Sequence, residues 1–355
     1  MADGEAQRRA GTTAAPVILS QRHLNRALLA RQLLLERSPL PLPVALEQVG
    51  GLQTQYAPSG YVGLWTRLAG FRRHDLTRAL EAREVVQATL MRATIHLVSA
   101  REFWYYAEGV RESRRAWLER VDRSMDPAAM DSAGARIREA LAGGPRDARE
   151  LGDLGSGFLG RLGVWVDLVR VPPSGTWERR RADRLALADA WLGPSDSDPR
   201  DGQSHLVKAY LRAFGPAPWR DIASWAGISV TDARAAGARI ELLRYRDEQG
   251  RELLDLPGAP LPDPDTPAPV RFLPHWDANL LVHARRTGLL PEEHRPRVFS
   301  SRNPFSVGTY LVDGRVVGAW SARDGRIELD AFEPISKQER RLVEDERASL
   351  EAFHA

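Results

Sequence analysis

No cysteine occurs in the 355 residues. Disulfides, a thiol nucleophile and a thiolate metal site are therefore excluded, and a reducing cytoplasm suits the chain. Lysine is almost as scarce, since of 50 basic residues only Lys208 and Lys337 are not arginine. Chemistry that needs an amine nucleophile has little to draw on. Long apolar runs are missing too. Nothing approaches the roughly 18 residues that cross a bilayer, so no membrane association is expected. Residues 1–16 lack the apolar centre of a secretory signal and read as a disordered tail.

What is present is an ordinary globular composition, 43% hydrophobic and 27% charged, in a chain long enough for two or three domains. The net charge is only +3, yet the arginines are unevenly placed: residues 161, 170, 179, 180 and 181 form one group, and six more lie between Arg271 and Arg302. Guanidinium groups grip phosphate in a planar fork and stack on bases. Basic faces on a near-neutral chain suit a partner that is anionic on one side only. The plainer reading of the Arg179-Arg180-Arg181 run is a solvated face.

Ser20 caps a helix whose leucines, Leu24, Leu28, Leu29 and Leu33, recur at helical spacing, with an end expected near Ser38-Pro39. Pro43 opens a short helix that Gly50-Gly51 stops, and 61–68 and 75–82 read as two more. Residues 85–98, rich in β-branched side chains, read as two short strands. Helices followed by a hairpin are the winged-helix plan. The rhythm recurs with helices at 127–142, 148–154 and 158–164, strands at 166–171 and 176–178, and again over 201–256. Its period of about 80 to 100 residues is near the size of a small domain. Residues 257–269 are a proline-rich linker. Strand-like segments at 270–274, 279–283, 309–320 and 326–329, a type I′ turn at Asp313-Gly314 and a charged helix at 336–353 make a small β domain. The expected fold is α+β: a tail (1–16), three tandem winged-helix modules (17–125, 126–200 and 201–256), a linker (257–269) and a C-terminal β domain (270–355).

Gln53-Thr54-Gln55 follows the double glycine. Glutamine neither titrates nor attacks, so in isolation the motif is an ordinary helix-to-loop junction. It becomes chemical only if the substrate brings its own activated leaving group. Together with Met91–Val98, Leu273–Leu281 and Leu311–Trp320, the motif resembles the AlkZ-like DNA glycosylases, tandem winged-helix enzymes that remove alkylated bases and unhook interstrand crosslinks. The resemblance runs from about residue 17 to 353. Glutamine at both Gln53 and Gln55 is similar to the crosslink-unhooking, self-resistance branch. The middle position is usually apolar in that family; here it is Thr54, whose methyl stands in.

The resemblance implies a monofunctional glycosylase that needs no metal or cofactor and works as a monomer on duplex DNA held in a concave, C-shaped channel. It implies Gln53 and Gln55 as the catalytic pair. Arg92, Thr94 and His96, expected to alternate along one strand face, would contact DNA, with Tyr56 and Ser59 beside the motif. Arg302 and Asn303, in a hairpin over 297–305, would probe the minor groove. Purines alkylated at N7 are cationic, so their glycosidic bond is already weak. The remaining barrier is stabilising an oxocarbenium-like sugar and placing a water at C1′, which carboxamides can do without ionising. A crosslinked base cannot be flipped in the usual way, which calls for an open channel. His275, Asp277 and His283 match no standard metal spacing, and Phe103–Tyr106 reads as core on a helix. The alternative from another class is a non-enzymatic winged-helix regulator, although no dimerisation helix is evident.

Overall fold

Ser20 opens the first helix as the sequence predicts. Its hydroxyl accepts from His23 N–H, and the His23 ring accepts in return from Ser20 N–H, closing a capping box over Gln21–Arg31. The helix ends at Arg31 and does not reach Ser38. Leu33 turns left-handed at φ 56°, while Leu34 N–H bonds Leu29 C=O and Leu33 N–H bonds Ala30 C=O. This is a Schellman stop with leucine where glycine is usual, and local leucine periodicity does not reveal it. A computed structural model provides these coordinates and describes residues 17–123, 126–151, 163–281, 288–299 and 306–355. The expected helix at 158–164 lies largely outside the described residues, and His283 and the probe residues Arg302 and Asn303 lie wholly outside them.

The architecture is mixed α/β. Helices Leu42–Val49, Pro58–Trp65 and Arg73–Glu81 precede two antiparallel strands, Val85–Thr89 and Ile95–Ser99. Those strands do not stay within one module. They belong to a six-stranded sheet ordered Leu52–Gln53, Ile95–Ser99, Val85–Thr89, Leu168–Arg170, Arg184–Leu187, Arg146–Asp147. Strands on both sides of residue 126 thus share one hydrogen-bonded layer. The return strand expected at 176–178 falls instead at Arg184–Leu187, because Ser174 Oγ accepts from Asp183 and Arg184 N–H and holds 174–183 as a loop. Behind the sheet, helices Phe103–Val121 and Pro199–Phe214 touch at Gly109 and Gly202. A Cβ on Gly202 would lie 2.4 Å from Gly109 N, so side chains are excluded at that crossing.

Helices Trp219–Ala226 and Val230–Gly237 follow, then a hairpin of Leu243–Asp247 and Glu252–Asp255, which also pairs in parallel with Ile18–Leu19. The C-terminal unit is a four-stranded antiparallel sheet, Arg271–Leu273, Gly308–Val312, Arg315–Arg323 and Arg326–Ala331, closed by helix Lys337–His354. Asp313 and Gly314 both have positive φ (45° and 76°), as a type I′ turn requires. The strand expected at 279–283 is instead a helical turn, Ala278–Leu281. Asp277 starts it, accepting from Asn279 N–H at 3.0 Å. The same Asp277 pairs with Arg67 at 2.9 Å, both nearly fully buried, and so ties the helices around the Gln-x-Gln segment to the C-terminal sheet.

Candidate active site

Two consecutive left-handed glycines place the motif. Gly50 (φ 74°) ends the helix Leu42–Val49, and Gly51 (φ 76°) drops the chain onto the sheet edge. A Cβ on Gly51 would meet Val98 Cγ1 at 2.9 Å and Leu97 O at 3.0 Å. Only glycine lets the backbone lie that close. Leu52 and Gln53 then pair with Leu97 and His96 as a two-residue strand, where the sequence had suggested a loop. Thr54 N–H extends the pairing by bonding Ile95 O at 2.8 Å.

Each glutamine carbonyl is held by a donor. Arg92 Nη2 donates to Gln53 Oε1 at 2.9 Å, and Ile95 N–H donates to Gln55 Oε1 at 3.2 Å. A guanidinium and a backbone amide can only donate, so the oxygen identity of both acceptors is fixed by chemistry. Each Oε1 keeps a second lone pair, and each amide keeps its two N–H donors. Gln53 is buried and Gln55 exposed. The motif therefore presents one clamped and one solvent-facing carboxamide.

Arg92, Thr94 and His96 do not alternate along one strand face. Residues 91–93 form a tight 3₁₀ turn in which Arg92 (φ 53°) and Ala93 (φ 56°) are both left-handed, and the strand starts only at Ile95. Left-handed non-glycine residues are costly and persist where the surroundings over-determine them. Here the determinants are visible: Arg92 also donates to Trp225 O, and Thr94 Oγ1 donates to Met91 O at 3.1 Å. The inversion swings Arg92 back over Gln53. His96 sits opposite Gln53 across the strand pair, with its Nδ1–H donating to Thr94 O at 3.0 Å, which leaves Nε2 as an acceptor. Burial, reinforced by the Arg92 charge, pushes His96 down to about 3, so it is neutral at physiological pH. Burial likewise lowers Arg92 to about 10, at which it keeps its charge.

A family model described as DNA glycosylase AlkZ-like matches residues 46–353. The chain belongs to the AlkZ-like DNA glycosylase family. Membership makes it a DNA glycosylase and sets aside the reading as a non-enzymatic regulator. Among solved structures, the Streptomyces sahachiroi DNA glycosylase AlkZ superposes with a TM-score of 0.80 at 21% identity, over 95% of this chain and 97% of that one, a likeness of fold. No curated protein matches the chain. No helix among the described residues is long and apolar enough to cross a membrane.

Tyr56 and Ser59 follow the glutamine pair in the chain. Both line a cavity of about 540 Å³ between the helix Pro58–Trp65 and the C-terminal sheet, together with Trp177, Arg180, His275 and Trp320. Nothing local in the sequence announced that cavity, because its walls come from segments spread between residues 56 and 354. Thr54 is buried, and its methyl packs where a Cβ on Gly60 would lie 2.9 Å away. Its hydroxyl has no hydrogen-bond partner among the described residues. A buried orphan hydroxyl costs stability. Thr54→Val keeps the shape and removes the orphan, so the urea midpoint should rise by the equivalent of about 1 kcal/mol with base release unchanged. A lower midpoint would mean that the hydroxyl is satisfied in solution.

Proposed function

We propose that this glycosylase hydrolyses the N-glycosidic bond of N7-alkylated purines in duplex DNA, including purines joined in interstrand crosslinks, and leaves an abasic site. The observation that carries the reading is that the site offers neither a carboxylic acid nor an imidazolium. No carboxylate is hydrogen-bonded to Gln53, Gln55, Arg92, Thr94 or His96 among the described residues. His96 is held neutral. At pH 7 such a site has no acid to protonate a departing base, so the base must arrive with its positive charge already in place.

The carboxamides then do what remains. The second lone pair of the exposed Gln55 Oε1 accepts from a water poised at C1′ and faces the positive charge that develops on the sugar. Gln53, fixed by Arg92, braces the same water from the buried side, with His96 Nε2 a further acceptor. A strand edge is rigid enough to hold these groups in position. The two lysines, Lys208 and Lys337, are exposed and belong to helices outside the motif. Hydrolysis without strand cleavage follows.

DNA is proposed to run past the 91–93 turn. A second cavity of about 550 Å³, lined by Arg92, Arg114, Trp117 and Arg120 on one side and Ser229 on the other, suits a phosphate backbone there. The decisive experiment incubates the protein with duplex containing N7-methylguanine, and separately with an N7-linked crosslink, and follows released base by chromatography. Free base and alkali-labile sites are expected without direct nicking. Between pH 6 and 9 the rate should be flat, because His96 lies well below that window and Arg92 at or above its upper edge. Tight DNA binding with no base released from either substrate would overturn the reading.

A further inference from the structure

We propose that the 540 Å³ cavity beside the motif is a binding pocket for the excised or extruded alkylated purine. This inference rests on the glycosylase reading above and adds where the base goes. The volume lies within the range of small-molecule pockets. Tyr56, the residue after Gln55, forms part of its wall, so the cavity adjoins the catalytic segment.

The lining is aromatic. His275 meets Tyr56 edge-to-face at 5.7 Å and Trp320 at 5.7 Å, and His354 meets Trp177 at 5.0 Å and Trp320 at 5.9 Å. These rings pack on one another edge-to-face and form one aromatic wall, a surface on which a planar heteroaromatic ligand can stack. Both histidines are lowered to about 4 by burial and are neutral at pH 7. Arg180 is the cation of the lining, and its charge is drawn over the Tyr56 and Trp177 rings at 5.9 and 5.7 Å while it donates to Tyr56 Oη at 3.1 Å. A neutral purine, the form the alkylated base takes on release, stacks on such rings without meeting a like charge.

The test is equilibrium dialysis of radiolabelled free 7-methylguanine against the full-length protein. One equivalent is expected to bind, with Gln53→Ala and Gln55→Ala binding as the wild type does. Tyr56→Ala and His275→Ala should each weaken binding about tenfold, the size of one base–aromatic stack. Ala322→Phe fills the mouth from an exposed position, so it leaves the fold intact and should abolish binding. Absence of binding to the wild type, or undiminished binding to Ala322→Phe, overturns the inference even if base release from duplex is robust. Absence of base release with binding intact would instead sink the reading beneath it.

Discussion

Gln55→Ala should slow release of N7-methylguanine from duplex roughly 100- to 1,000-fold, the range for removing one preorganised polar group from a charge-stabilising site. DNA affinity should change little, since one exposed amide contributes a small part of a contact dominated by phosphates. Gln53→Ala should be at least as severe and should also cost stability. Gln53 is buried and accepts from Arg92, so alanine leaves a half-buried guanidinium donor without its acceptor, a loss of about 1–3 kcal/mol. The conservative variant separates chemistry from structure. Gln55→Glu still accepts from Ile95 N–H and adds negative charge near the developing oxocarbenium, so it should retain far more activity than Gln55→Ala. Wild-type rates from both alanine variants would remove the motif from the mechanism. Arg92→Ala is a companion test of positioning: kcat should fall about as far as in Gln53→Ala, because the lost group acts through Gln53, while a rise in KM would report the phosphate contact proposed at the cavity it lines.

Much of this arrangement could be read from the chain, and the failures have physical reasons. Ser20, Gly50-Gly51, Asp313-Gly314 and the start of the last helix at Ser336 each carry their signal within four residues, and each falls where it was expected. The glutamine pair stood out through family resemblance, since nothing in a carboxamide's local chemistry marks it as catalytic. The strand Leu52–Gln53 was missed because two residues cannot show a period; the partner Ile95–Ser99 creates it. Arg92 was misread for a subtler reason. Alternation assumes an extended backbone, and two left-handed residues invert it, a tertiary decision recorded nowhere in local propensity. The aromatic cavity was beyond local reading altogether, because Tyr56, Trp177, His275 and Trp320 become neighbours only through the C-terminal sheet.

The second large effect is acid lability beginning near pH 6.5. Four histidines are held neutral inside the fold: His96 and His205 at about 3, His275 and His354 at about 4, with burial the first cause in each. Arg92 adds to the shift at His96, Arg212 and Lys208 at His205, and Arg180, Arg73 and His275 at His354. Their folded values lie below the ordinary value near 6.5, so the unfolded chain takes up protons first. The stabilisation is fully present above pH 6.5 and is lost as pH falls toward 4. His96 alone loses about 2 kcal/mol by pH 5, a large share of a typical stability of roughly 5–15 kcal/mol, and His205, His275 and His354 act in the same direction. Urea midpoints should fall steadily from pH 7 to 5, a window in which ordinary carboxylates are still ionised. His205→Asn, far from the glutamine pair, should flatten that slope by about 1.4 kcal/mol per pH unit while leaving base release at pH 7.5 intact. His205 stacks on Tyr105 at 5.2 Å and meets Tyr106 edge-on at 4.8 Å, so the variant will start from a lower midpoint, and the slope is the quantity to read. A midpoint that stays constant from pH 7 to 5 would show that these imidazoles are hydrated in solution, and the argument that the site holds no acid for the leaving base would lose its His96 support.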